Sequence, residues 1–243
     1  MQENSMKIFP YPSFDEVFTD KTLEGVFYPL CSIEYVTKKS VVKLHFISSN
    51  GLWMDEDFST KSNTFSYTLF NVVDGRYQFC GDIRLYKGFL QAKEIFPKLV
   101  ADFEANGNSY LHQKLSTEAY ITKQISTLDL SSYAKIFDLE YYLQTFYEFS
   151  INQLYYRLHH EFAAFGAAIG GFGKSDKKSP IVYGAKLEDA MEVLQYSQPA
   201  IEDIQDYHAV GHVIGCEFFT DGNDTILLYN ALKHRALCVN FYS

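Results

Sequence analysis

The chain has 243 residues, 47% hydrophobic and 21% charged, with a formal net charge of -9. These values describe a folded globular chain and exclude a disordered one, which would carry fewer apolar side chains and more charge. The negative balance repels a phosphate backbone, so direct nucleic-acid binding is not expected, and it favours a basic protein partner. Aromatic residues are abundant, with 21 Phe and 19 Tyr against a single Trp. Rings of this kind serve both cores and binding surfaces.

In chain order, Ser13 and Glu16 have capping-box spacing and open a short helix carrying Phe14, Val17 and Phe18. From Tyr28 to Tyr86 the pattern turns to β. Ser32–Thr37 and Val41–Ser48 alternate around a Lys38-Lys39 turn, and Asn50-Gly51 and Asp74-Gly75 are hairpin signals. Phe65–Val72 and Tyr77–Leu85 flank the second of these. An N-terminal antiparallel meander of four or five strands is expected. A helix is predicted from Phe89 to Glu104, broken near Phe96 by Pro97 and ended by Asn106-Gly107. A shorter helix follows over Thr117–Leu128.

The clearest helix spans Asp138–Phe165, where Leu139, Leu143, Tyr147, Ile151, Leu154, Leu158, Phe162 and Phe165 form one stripe. Its additional rings imply packing on more than one side, or a role in homodimerisation. A Gly-, Lys- and Ser-rich loop covers Gly166–Pro180. Beyond it come a short strand at Ile181–Tyr183, a compact helix around Leu187–Leu194, and β-like runs at Val210–Phe219, Thr225–Tyr229 and Ala236–Tyr242. The fold class expected is α+β, with an N-terminal α+β lobe containing the antiparallel meander in residues 1–130 and a long helix plus a C-terminal α+β lobe in 131–243. The two lobes are expected to share an interface.

Few constellations carry chemistry. Gly170, Gly171, Gly173, Lys174 and Ser175 nearly spell a phosphate-binding loop. Such a loop needs a strand before it and a helix after it, whereas here a helix precedes and a loop follows. A nucleotide or phosphate site there is the alternative, enzymatic reading. His208 and His212 are expected on a strand, where positions four apart stand about 13 Å from each other, too far to share a zinc ion. Asp221-Gly222-Asn223-Asp224 is read as a hairpin turn and not a calcium loop. No catalytic motif, metal site or cofactor is expected. Cys31, Cys80, Cys216 and Cys238 form no C-x-x-C pair and are read as four reduced, buried thiols of a cytoplasmic chain, with a Cys216–Cys238 bridge as the alternative. The start of the chain lacks a secretory pattern, and no apolar run reaches the roughly 20 residues that span a bilayer. Glu188, Asp189, Glu192, Glu202, Asp203 and Asp206 fall within a stretch that contains no Lys or Arg. This acidic patch is the candidate partner-binding surface.

The order of features over roughly Leu154–Ser243 resembles the SUKH superfamily. A helix ending in Glu161-Phe162-Ala163-Ala164-Phe165 leads into Gly170-Gly171-Phe172-Gly173. Leu187-Glu188-Asp189-Ala190-Met191 follows, and then Gly211-His212-Val213-Ile214-Gly215 before Asp221-Gly222-Asn223-Asp224. The resemblance implies a non-enzymatic role: many bacterial members are immunity proteins that bind and neutralise a toxin domain.

Overall fold

The structure is a computed structural model that describes residues 7–37, 40–162, 181–182 and 185–241. It is α+β, with strands at both ends of the chain and helices between them. Strands β1 (Ile8–Pro10), β2 (Tyr28–Val36) and β3 (Val41–Ser48) form a three-stranded antiparallel sheet in the order β1-β2-β3. The short helix α1 (Phe14–Val17) lies between β1 and β2, and the Ser13 N–H donates to the Glu16 carboxylate at 3.1 Å as the capping-box spacing predicts.

Strands β4 (Tyr67–Val73) and β5 (Arg76–Phe79) make the hairpin expected at Asp74-Gly75. Both turn residues have positive φ, 51° and 75°, which matches the twist of the flanking strands. Asn50-Gly51 does not make a hairpin. The Asn50 side chain is buried and its amide donates to the Asp221 carbonyl at 2.9 Å. That bond commits the turn to a distant loop, and the chain runs on through irregular structure. The expected N-terminal meander is therefore divided: β4 pairs with β9 (Arg235–Phe241), placing Thr68 opposite Cys238, and belongs to a second sheet of order β5-β4-β9-β8-β7-β6. Here β6 is Ile181–Val182, β7 is His208–Val213 and β8 is Asp224–Asn230.

The six-stranded sheet is covered on both faces. Along β8, Ile226 and Leu228 point to one side and Leu227 and Tyr229 to the other; along β9, Leu237 and Val239 oppose Ala236 and Cys238. This period-two division explains why both strands read as unbroken apolar runs. One face joins the main core with β3 and the helices. The other is covered by α5 (Leu187–Leu194), through Ala190 and Leu194, and by Tyr207.

Helix α2 (Phe89–Gln113) runs continuously through both Pro97 and Asn106-Gly107, contrary to the expected break and stop. Ile95, Leu99, Phe103, Gly107 and Tyr110 are all buried along it, and this packing outweighs the local cost of one lost backbone hydrogen bond. The helix ends instead at Lys114, in the left-handed region. Helix α3 (Thr117–Thr127) is capped by the Ser116 hydroxyl, which accepts from the Ala119 N–H. Helix α4 (Leu139–His159) starts at the Asp138 cap and ends at His160, in the left-handed region, earlier than expected. Tyr142, Leu143, Phe146, Tyr147, Phe149 and Ile151 are buried, so α4 packs on more than one side within its own chain. The Val210–Phe219 run is strand only to Val213, after which a 3-10 turn, Gly215–Glu217, takes over. The turn begins at a close approach of two backbone segments: a Cβ on Gly215 would sit 2.2 Å from the Asn223 carbonyl oxygen.

Among the described residues no disulfide joins any of the four cysteines, so the Cys216–Cys238 alternative is not formed. Cys31 and Cys238 are buried, but Cys216 is exposed and Cys80 partly so, which corrects the expectation of four buried thiols. No helix among the described residues is long and apolar enough to cross a membrane.

Candidate interaction surface

Helix α5 has only eight residues, and its burial sets what it shows to solvent. Ala190 and Leu194 face the sheet, so Glu188, Met191 and Glu192 are turned outward. Tyr196, two residues past the helix, is 80% exposed, and Met191 is 37% exposed. A large aromatic ring and a flexible thioether therefore stand beside two carboxylates. The loop that follows is tied down by Tyr67, whose hydroxyl donates to the Pro199 carbonyl at 2.9 Å.

The six acids predicted as a patch have three different fates. Asp189 accepts from the Lys186 N–H at 3.0 Å and caps its own helix. Glu202 pairs with Lys61, whose ammonium holds the Glu202 carboxyl below its ordinary value, and Asp203 pairs with Lys233. Both lysines come from outside the cation-free stretch, so one-dimensional counting could not see them. Glu188, Glu192 and Asp206 are exposed and make no ion pair among the described residues.

A second exposed aromatic was not singled out from the sequence. Trp53, the only tryptophan, is 59% exposed and donates its indole N–H to Asp138 at 3.0 Å. Its ring lies 5.4 Å from that of Tyr141. Asp221 closes the cleft, held by the Gln144 amide at 3.2 Å. Nothing local to Trp53 signals this arrangement, because Asp138 and Asp221 arrive from far along the chain.

Gly170, Gly171, Gly173, Lys174 and Ser175 lie outside the described residues. Among the described residues no group of three or more His, Cys, Asp or Glu is arranged to hold a metal ion. Ser32 and His45 make a close pair at 2.7 Å, but both are wholly buried and the ring's other nitrogen is taken by the Gly75 carbonyl. That pair holds strands together and has no access to a substrate. Comparison of the chain with protein-family models, with curated proteins and with solved structures found no match.

Proposed function

We propose that this chain is a non-enzymatic binding protein that captures a basic protein partner, in the manner of an immunity protein masking a toxin domain. The observation that carries the reading is the outer surface of α5 and its following loop, where Glu188, Glu192 and Asp206 are exposed without an ion pair among the described residues and Met191 and Tyr196 are exposed as well. Carboxylates of this kind steer and orient a basic partner, while a ring supplies the anchoring contact. The exposed Trp53 indole, bonded to Asp138 in a cleft that Asp221 also lines, offers a second place of the same chemistry, since a lysine or arginine stacks on indole and pairs with carboxylate. The resemblance of Leu154–Ser243 to SUKH immunity proteins points the same way.

The test is binding to the product of an adjacent toxin-like gene, measured at low and moderate salt. Charge reversal at Glu188, Glu192 and Asp206 is expected to weaken binding by roughly tenfold or more and to flatten its salt dependence. Unchanged affinity and unchanged salt dependence in the reversed variant would remove this surface from the account.

A further inference from the structure

A cavity of about 340 Å3 opens between α2, α4 and the segment entering β2. That size is at the lower end of the range for small-ligand sites. Its floor is aromatic and aliphatic, formed by Phe96, Val100 and Phe103 of α2, Phe146 and Phe149 of α4, and Phe27. Its polar lining has two signs. Ser150, Gln153 and Arg157 follow one another at steps of three and four along α4, so hydroxyl, amide and guanidinium share one helical face. None of the three makes a hydrogen bond or ion pair with its own side chain among the described residues. Glu24, just before β2, and Glu104, next to Phe103 on α2, supply the negative groups. Partial burial pushes the Glu24 carboxyl up, with Lys21 opposing the shift and Asp15 adding to it.

We propose that this cavity binds a zwitterionic small molecule with an apolar body, of the size of a free aromatic or branched-chain amino acid. The apolar body fills the Phe-lined floor, the ammonium meets Glu24 and Glu104, and the carboxylate meets Arg157, Gln153 and Ser150. The lining excludes simpler ligands by charge. An apolar anion would satisfy Arg157 but face two carboxylates. An apolar cation would satisfy the carboxylates but oppose Arg157 and leave its neighbouring donors unused. A neutral apolar body would leave the charged groups at the cavity without a partner and desolvate the half-buried Glu24 without return. The inference is independent of the acidic surface on α5, which lies on other elements.

Isothermal titration with phenylalanine, tyrosine, tryptophan and leucine, and with phenethylamine and 3-phenylpropionate as single-charge analogues, tests this on the full chain. At least one amino acid is expected to bind saturably, and each single-charge analogue to bind roughly tenfold or more weakly than phenylalanine. Arg157→Gln is expected to reduce phenylalanine to the level of phenethylamine and to leave phenethylamine itself no weaker. Glu24→Gln with Glu104→Gln is expected to reduce it to the level of 3-phenylpropionate. Val100→Trp fills the cavity and is expected to abolish all binding. Should that variant fail to fold, the exposed Arg157 and Glu104 substitutions carry the test without it. Absence of saturable binding by any of the four amino acids overturns the proposal, as do analogues that bind as well as phenylalanine or an Arg157→Gln variant that binds it unchanged.

Discussion

The Glu148 carboxylate on α4 accepts two hydrogen bonds from Thr220, one from its backbone N–H and one from its hydroxyl, both at 2.8 Å. This pair fastens the loop bearing Asp221 to the long helix. Glu148 is 1% exposed, and burial pushes its carboxyl up to about 7, against the lowering effect of the Thr220 bonds and with the help of the nearby negative Asp221. A carboxyl raised in the folded state binds its proton more tightly there than in the unfolded chain. Its stabilising contribution is thus complete below the ordinary value of 4.5 and is lost as pH rises through 7. The full difference is on the order of 3 kcal/mol. Glu148→Gln, which cannot titrate, is expected to flatten this slope. Urea denaturation of both proteins at about pH 5 and about pH 8 reads the difference directly. Equal slopes for the two proteins would show that Glu148 does not titrate in this range.

His45 has the opposite sign. The Gly75 carbonyl can only accept, so the His45 Nε2 carries the hydrogen of their 2.8 Å bond, and Nδ1 accepts from the Ser32 hydroxyl. The ring is neutral, and burial pushes its pKa down from 6.5 to about 4. Its contribution to stability is present above 6.5 and is lost as pH falls through 4. Nitrogen-detected NMR should show the His45 ring still neutral at about pH 5, where an ordinary exposed imidazole is mostly protonated. His45→Phe would leave the Ser32 hydroxyl and the Gly75 carbonyl without this partner, at an expected cost of about 2 kcal/mol at neutral pH. A protonated His45 signal at about pH 5 would contradict the buried, neutral assignment.

These two residues also show what a linear reading can reach. The strands β8 and β9 themselves, the Asp74-Gly75 hairpin and the Ser13–Glu16 cap are set by near neighbours, and all were legible. Pro97 and Asn106-Gly107 misled because burial of Leu99, Phe103 and Tyr110 overrides a local preference for breaking the helix. Asn50 misled because its amide is bound by Asp221, a partner no local window contains. The same limit applies to the surface. The acids of α5 and the loop after it were visible as a run, but the pairing of Glu202 with Lys61 and of Asp203 with Lys233 was not, nor was the hydrogen bond from Trp53 to Asp138. Charge counts along a chain report what a segment brings, and folding decides what faces it.

Tyr120 and Tyr147 stack with ring centroids 4.2 Å apart, yet their hydroxyls differ. The Tyr147 hydroxyl donates to the Leu115 carbonyl at 2.6 Å and joins α4 to the turn before α3. The Tyr120 hydroxyl is buried and meets no hydrogen-bond partner among the described residues. Removing each oxygen should therefore have opposite consequences. Tyr147→Phe is expected to destabilise by about 1 kcal/mol, and Tyr120→Phe to be neutral or to stabilise by a similar amount, since a buried unpaired hydroxyl costs folding energy. Chemical denaturation of the two variants, with the double variant to test additivity across the stack, measures this. A clear loss of stability in Tyr120→Phe would mean that its hydroxyl is bonded after all.

Gly215 and Gly222 set the shape of the loop that carries Asp221. A Cβ on Gly222 would lie 2.1 Å from the Gly215 carbonyl oxygen, and one on Gly215 would lie 2.2 Å from that of Asn223. Both obstacles are backbone, so neither can yield as a flexible side chain would. The approach is held in register by Asp224, which accepts from the Gly215 N–H at 2.8 Å and also meets His212 at 2.8 Å. Gly215→Ala must then separate two backbone segments and stretch the Asp224 bond. A loss of about 2–4 kcal/mol is expected, at the upper end of the usual range for a single substitution. The displacement should be transmitted to Asp221, so Trp53 fluorescence is expected to change in Gly215→Ala before global unfolding. A variant with native stability and an unaltered Trp53 signal would show that the two glycine backbones do not touch.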